Sequence, residues 1–73
     1  MAVFSQTELR VLTALSEGKS LKKLAESSNI SEDKIDETVQ VLKAKLGGEK
    51  NADLPERFAN LTGWSGKPSD YPN

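Results

Sequence analysis

Apolar side chains in this chain fall into four short runs of helical period, separated by serine, glycine, asparagine and proline. Val11, Leu12 and Leu15 recur on one helix face and predict a first helix over about residues 6–17. Ser5 stands where an N-cap belongs, and Glu8 follows three residues later, the spacing of a capping box. Phe4, just before the cap, is placed to staple onto Leu9, and Gly18 is placed to end the helix in a left-handed conformation. A second helix is predicted over about residues 21–28, capped by Ser20, with Leu24 and Ala25 facing inward and Asn29 as its stop. Ile30 leads to Ser31, the N-cap of the longest helix, predicted over about residues 32–46. Its inward face is Ile35, Val39, Leu42 and Leu46, and Gly47-Gly48 ends it. Glu32 and Asp33 in its first turn and Lys43 and Lys45 in its last turns suit the helix dipole. A fourth, short helix is predicted over about residues 54–61, with Asp53 as cap, Pro55 in its first turn, and Leu54, Phe58 and Leu61 on one face.

From Thr62 onward glycine and proline punctuate the chain and no helical period remains. The expected architecture is therefore all-α. It is one helical domain over residues 1–61 with a flexible or extended irregular tail over residues 62–73. Trp64 and Tyr71 in that tail have two readings: they fold back over a small core, or they anchor a partner, as tryptophan and tyrosine do in interface hot spots.

Length and composition narrow the functional classes. Seventy-three residues make one small domain and leave little room for a substrate pocket. With no cysteine and no histidine, thiol catalysis, disulfides, zinc-finger ligation and imidazole acid–base chemistry are excluded. No glycine-rich phosphate loop or metal-ligand spacing occurs, so no enzyme, cofactor or metal is expected. The start reads without a signal peptide and no apolar run reaches the roughly 20 residues of a membrane span, so a cytoplasmic chain without a membrane partner is expected. Ten basic residues stand against eleven acidic ones, a balance unlike that of a generally basic nucleic-acid coat.

The second and third helices are joined by only Asn29, Ile30 and Ser31, the connection of a helix-turn-helix. Phe4, Ser5, Glu8, Val11 and Leu12 stand in register with an opening Leu-Thr-x-x-Glu-x-x-Val-Leu pattern. Gly18, Ser20, Lys22, Leu24 and Ala25 match Gly-x-Ser followed by Lys-x-Ile-Ala. Ile30-Ser31 precede the third helix, and Lys45-Leu46-Gly47 close it. On these residues the stretch 4 to 47 resembles the LuxR/GerE-type helix-turn-helix domain without a gap. The resemblance implies a four-helix domain whose third helix enters a DNA major groove, often with dimerisation through the fourth. It implies a duplex-DNA partner contacted by Lys19, Lys22 and Lys23 near the phosphates, and by Lys34, Thr38, Gln40, Lys43 and Lys45 along the third helix.

The DNA-facing half of the motif departs from the family. Where Thr-Val-Lys-x-His is usual, this chain has Lys34, Ile35, Asp36, Glu37 and Thr38. The lysine commonly turned to DNA is Asp36, a frequently basic position one turn later is Gln40, and the arginine after Lys-Leu-Gly falls on Asn51. Carboxylates at the start of a groove-reading helix oppose phosphate attraction, although a carboxylate can accept from the cytosine amino group. Two functions are therefore expected to compete. One is a DNA-binding transcriptional regulator acting as a dimer. The other is a protein-interaction module using Asp36, Glu37 and Val41 on the third helix, or Leu54, Phe58 and Leu61 on the fourth, to bind a regulatory partner.

Overall fold

The computed structural model describes residues 4–72. Among these, the regular elements are helices alone: α1 Gln6–Ser16, α2 Leu21–Ser28, α3 Glu32–Leu46 and α4 Leu54–Thr62, with 3₁₀ turns at Asn51–Asp53 and Pro68–Asp70. Local chemistry sets most of the boundaries. The Ser5 hydroxyl accepts from the Glu8 N–H at 3.1 Å while the Glu8 carboxylate accepts from the Ser5 N–H at 2.8 Å, a closed capping box. Ser20 and Ser31 cap α2 and α3 by accepting from the N–H of Lys23 at 3.1 Å and Lys34 at 3.2 Å. Each such cap stabilises its helix by about 1 kcal/mol. α2 stops at Asn29 with φ 57°, a left-handed conformation that asparagine tolerates better than most residues.

The two glycines after α3 have different jobs. Gly47 takes φ 73° and sends its N–H back to the Lys43 carbonyl, which ends the helix. Gly48 is buried, and a β-carbon there would sit 2.9 Å from Leu54 Cδ2 and 3.3 Å from Arg57 Cδ. It lets the start of α4 approach the end of α3. Asp53 departs from its expected role and makes no side-chain capping bond. The 3₁₀ turn runs straight into α4, so Asp53 already has helical φ −83° and ψ −16°. Pro55, two residues on, has no N–H to offer it.

The core is built around α1, which touches every other element. Phe4, Val11, Leu12, Leu42 and Leu54 are fully buried, and Ile35 and Phe58 nearly so. Ala25 brings α2 onto this cluster, and the third-helix stripe Ile35, Val39, Leu42 and Leu46 is buried along its whole length. Leu61 breaks from the expected α4 face and is 57% exposed, whereas Leu54 and Phe58 point into the core.

Residues 62–72, expected as a flexible or extended tail, lie back on the globule. The radius of gyration of 11.1 Å fits, since a compact chain of this length should have about 11 Å. Tyr71 stacks edge-to-face on Phe58 at 5.2 Å and on Trp64 at 5.6 Å, and Phe58 continues the series to Phe4 at 5.1 Å. Such arrangements add about 0.5–1.5 kcal/mol per pair beyond area burial. Two helical threonines tie the segment down by the same device. Thr13 and Thr62 donate back to the carbonyls of Leu9 and Phe58, and their hydroxyl oxygens accept the N–H of Ser69 at 2.8 Å and Trp64 at 3.1 Å. Trp64 Nε1 donates to the Lys67 carbonyl at 2.8 Å, and Pro68 is buried. Of the two readings for Trp64 and Tyr71, the structure takes the fold-back one. Tyr71→Ala is expected to lower unfolding free energy by about 1–3 kcal/mol, read by urea denaturation, while a freely solvated tail would make it neutral.

Candidate nucleic-acid interface

Because Ile35, Val39, Leu42 and Leu46 face inward, α3 turns Asp33, Lys34, Asp36, Glu37, Gln40 and Val41 to solvent, all of them exposed. The turn Asn29–Ser31 sets the start of α3 beside the start of α2, where Lys19, Lys22 and Lys23 are also exposed. Lys22 shares a shallow hollow between the two helices with Glu32 and Asp36. On the other flank, Lys34, Glu37 and Val41 border a hollow with Ser5 and Thr7 at the start of α1. The outward face thus alternates cation and carboxylate, with the acids concentrated in the first two turns of α3.

Several expected site residues lie elsewhere. Thr38 is buried, and its hydroxyl donates to the Lys34 carbonyl at 2.8 Å, so it is not turned to a groove. Lys45 stays at the surface, its side chain 34% exposed, but its ammonium is engaged by Glu8. Its Nζ lies 3.0 Å from Glu8 Oε1 and 2.9 Å from Oε2, with hydrogen-bond alignment to Oε1 alone, and 5.3 Å from the centre of the Phe4 ring. Lys43 is half-buried. Leu54 and Phe58 belong to the core and present no surface to a partner. Lys19 Nζ is 3.4 Å from Glu17 Oε2, but with side chains 64% and 38% exposed this pair holds it weakly. Of the eight residues expected to meet DNA, Lys19, Lys22, Lys23, Lys34 and Gln40 are exposed and outside the Glu8 ion pair, Lys22 facing the start of α3 and Lys19 and Lys23 bordering the hollow between α1 and α2. Of the expected protein-contact residues, Asp36, Glu37, Val41 and Leu61 are exposed.

Glu8 is the residue whose role sequence reasoning saw only in part. Beyond capping α1 it receives Lys45, 37 positions away, and its side chain is only 8% exposed. Burial pushes its carboxyl up. The Ser5 N–H and the Lys45 ammonium pull it down by more, and the net result lies below the ordinary 4.5. Among the described residues no three histidine, cysteine or acidic side chains are grouped to hold a metal ion. No helix there is long and apolar enough to cross a membrane. Comparison with protein-family models, with curated proteins and with solved structures returns no match.

A carboxyl lowered by folding adds stability that is complete above its unfolded pKa and is lost as pH falls through the lower folded value. Stability measured by urea denaturation should therefore fall on acidification below about pH 4.5. Glu8→Gln should be less stable at pH 7 by about 1–3 kcal/mol and should show a shallower acid limb. A Glu8→Gln protein matching the wild type both at pH 7 and in acid would contradict the Glu8–Lys45 tie.

Proposed function

We propose that this chain is a cytoplasmic DNA-binding module of the LuxR/GerE helix-turn-helix type, a regulator that binds and does not catalyse. In this reading α2 and α3 flank the Asn29–Ser31 turn, α3 lies in the major groove, and Lys19, Lys22, Lys23 and Lys34 meet phosphates. The observation that carries it is the outward α2–α3 surface, with the three lysines at the start of α2 and Lys34 on α3 all exposed, on a chain whose motif matches fall in those same elements. Asp36 and Glu37 weaken nonspecific attraction and leave Asp36 to accept from a cytosine amino group. Two copies would pair through α4, which leaves Leu61 as its exposed apolar side chain.

One observation favours a second reading. Val41 is 41% exposed beside Glu37, and with Asp33 and Asp36 exposed on the same helix the face suits a basic protein partner. Fluorescence anisotropy with pooled duplex fragments separates the two. With about four phosphates neutralised, log K against log salt should have a slope near −3 to −4. Lys23→Gln should reduce that slope by about one, and Asp36→Asn should tighten nonspecific binding. Absence of binding at about 50 mM salt would reject the DNA reading in favour of the protein-interaction one.

A further inference from the structure

A cleft of about 380 Å³ opens between α1 and α2, sharing Lys19 and Lys23 with the surface proposed to meet DNA. Its floor is apolar: Ala14 is buried and Leu24 is half-buried. Its rim is cationic: Arg10 from α1, Lys19 from the α1–α2 loop and Lys23 from α2 border it, against the single carboxylate of Glu17. Glu17 is directed at Lys19, and among the described residues neither Arg10 nor Lys23 makes an ion pair. The tail supplies a further wall through Ser69, whose N–H is fixed on the Thr13 hydroxyl.

We infer that this cleft is a binding site for a small amphipathic anion, a compact ring or branched hydrocarbon bearing one carboxylate or comparable anionic group. The volume is at the low end of the roughly 300–1,000 Å³ of small-molecule sites, enough for one ring system. The apolar group covers Ala14 and Leu24. The anionic head meets the planar fork of Arg10, which matches a carboxylate in two hydrogen bonds, with Lys23 opposite. In a chain with more acids than bases, three cations gathered around an apolar floor form a local field that selects anions. The site goes beyond the DNA reading and does not rest on it, although both use Lys19 and Lys23, so a bound ligand would compete with phosphates for those two lysines.

The test is an NMR titration of the full chain without DNA, using 1-naphthoate, its neutral counterpart 1-naphthamide, and acetate. Saturable amide shifts with 1-naphthoate are expected at Arg10, Ala14, Lys23, Leu24 and Ser69. Naphthamide should bind at least about tenfold more weakly, and acetate should not saturate. Arg10→Gln and Lys23→Gln, both at exposed positions, should each weaken 1-naphthoate severalfold with the remaining spectrum unchanged. Equal affinity for naphthamide, shifts centred elsewhere, unaltered affinity in both variants, or no shift up to about 10 mM would each overturn the site. Because no duplex is present, failure here leaves the DNA reading standing, and failure of duplex binding leaves this site standing.

Discussion

Burial of α1 is the constraint on which the other elements depend. In a chain of 73 residues without disulfides, one helix must serve as the common surface for all the rest, and α1 does so with Val11 and Leu12 fully buried. The same helix carries Glu8, which closes its own capping box and holds Lys45 near the end of α3. An apolar stripe and one part-buried ion pair thus orient α3 on α1. Once its inward face is settled, the outward face of α3 follows, and with it the side chains that this helix offers to a partner.

Legibility in the sequence divides along the range of the interactions. The boundaries of α2 and α3 could be read because Ser20, Ser31, Asn29 and Gly47 act on backbone groups within a few residues. The Lys45–Glu8 pair could not, since nothing in the spacing of positions 8 and 45 announces it. The fold-back of the tail was legible only as one of two readings for Trp64 and Tyr71. Pro68, Trp64 and Tyr71 carry no period, and their placement rests on contacts with Phe4, Phe58 and Thr13 from distant positions. Thr38 and Phe58 are different, because their burial was readable. Thr38 is three residues after Ile35 and four before Leu42, on the inward stripe, and Leu54 and Phe58 share one face of α4. A family register assigned Thr38 to DNA although the periodicity of this chain placed it inside. Asp53 shows the reverse limit, where a suitable residue type lost its capping role to a preceding 3₁₀ turn.

Charge placement gives the near-neutral composition its meaning. One lysine of α3 is engaged by Glu8, a group of exposed cations stands at the start of α2 and around the α1–α2 cleft, and Lys34 stands alone among the acids in the opening turns of α3. The acids Asp33, Asp36 and Glu37 occupy the exposed opening turns of α3. In the proposed DNA reading, a duplex would be drawn by one helix start and partly repelled by the next, which favours a selective contact over a strong nonspecific one.

The proposed function puts the working surface on the outward face of α2 and α3, since their inward faces are packed in the core with α1. Its most direct test is a residue-by-residue map of amide chemical-shift changes on adding a short duplex at low salt. The account predicts changes grouped at Lys22, Lys34 and Asp36 and their neighbours, with the buried α1 positions Val11 and Leu12 unmoved. Changes confined to α4 and the tail, with none at those three residues, would contradict it.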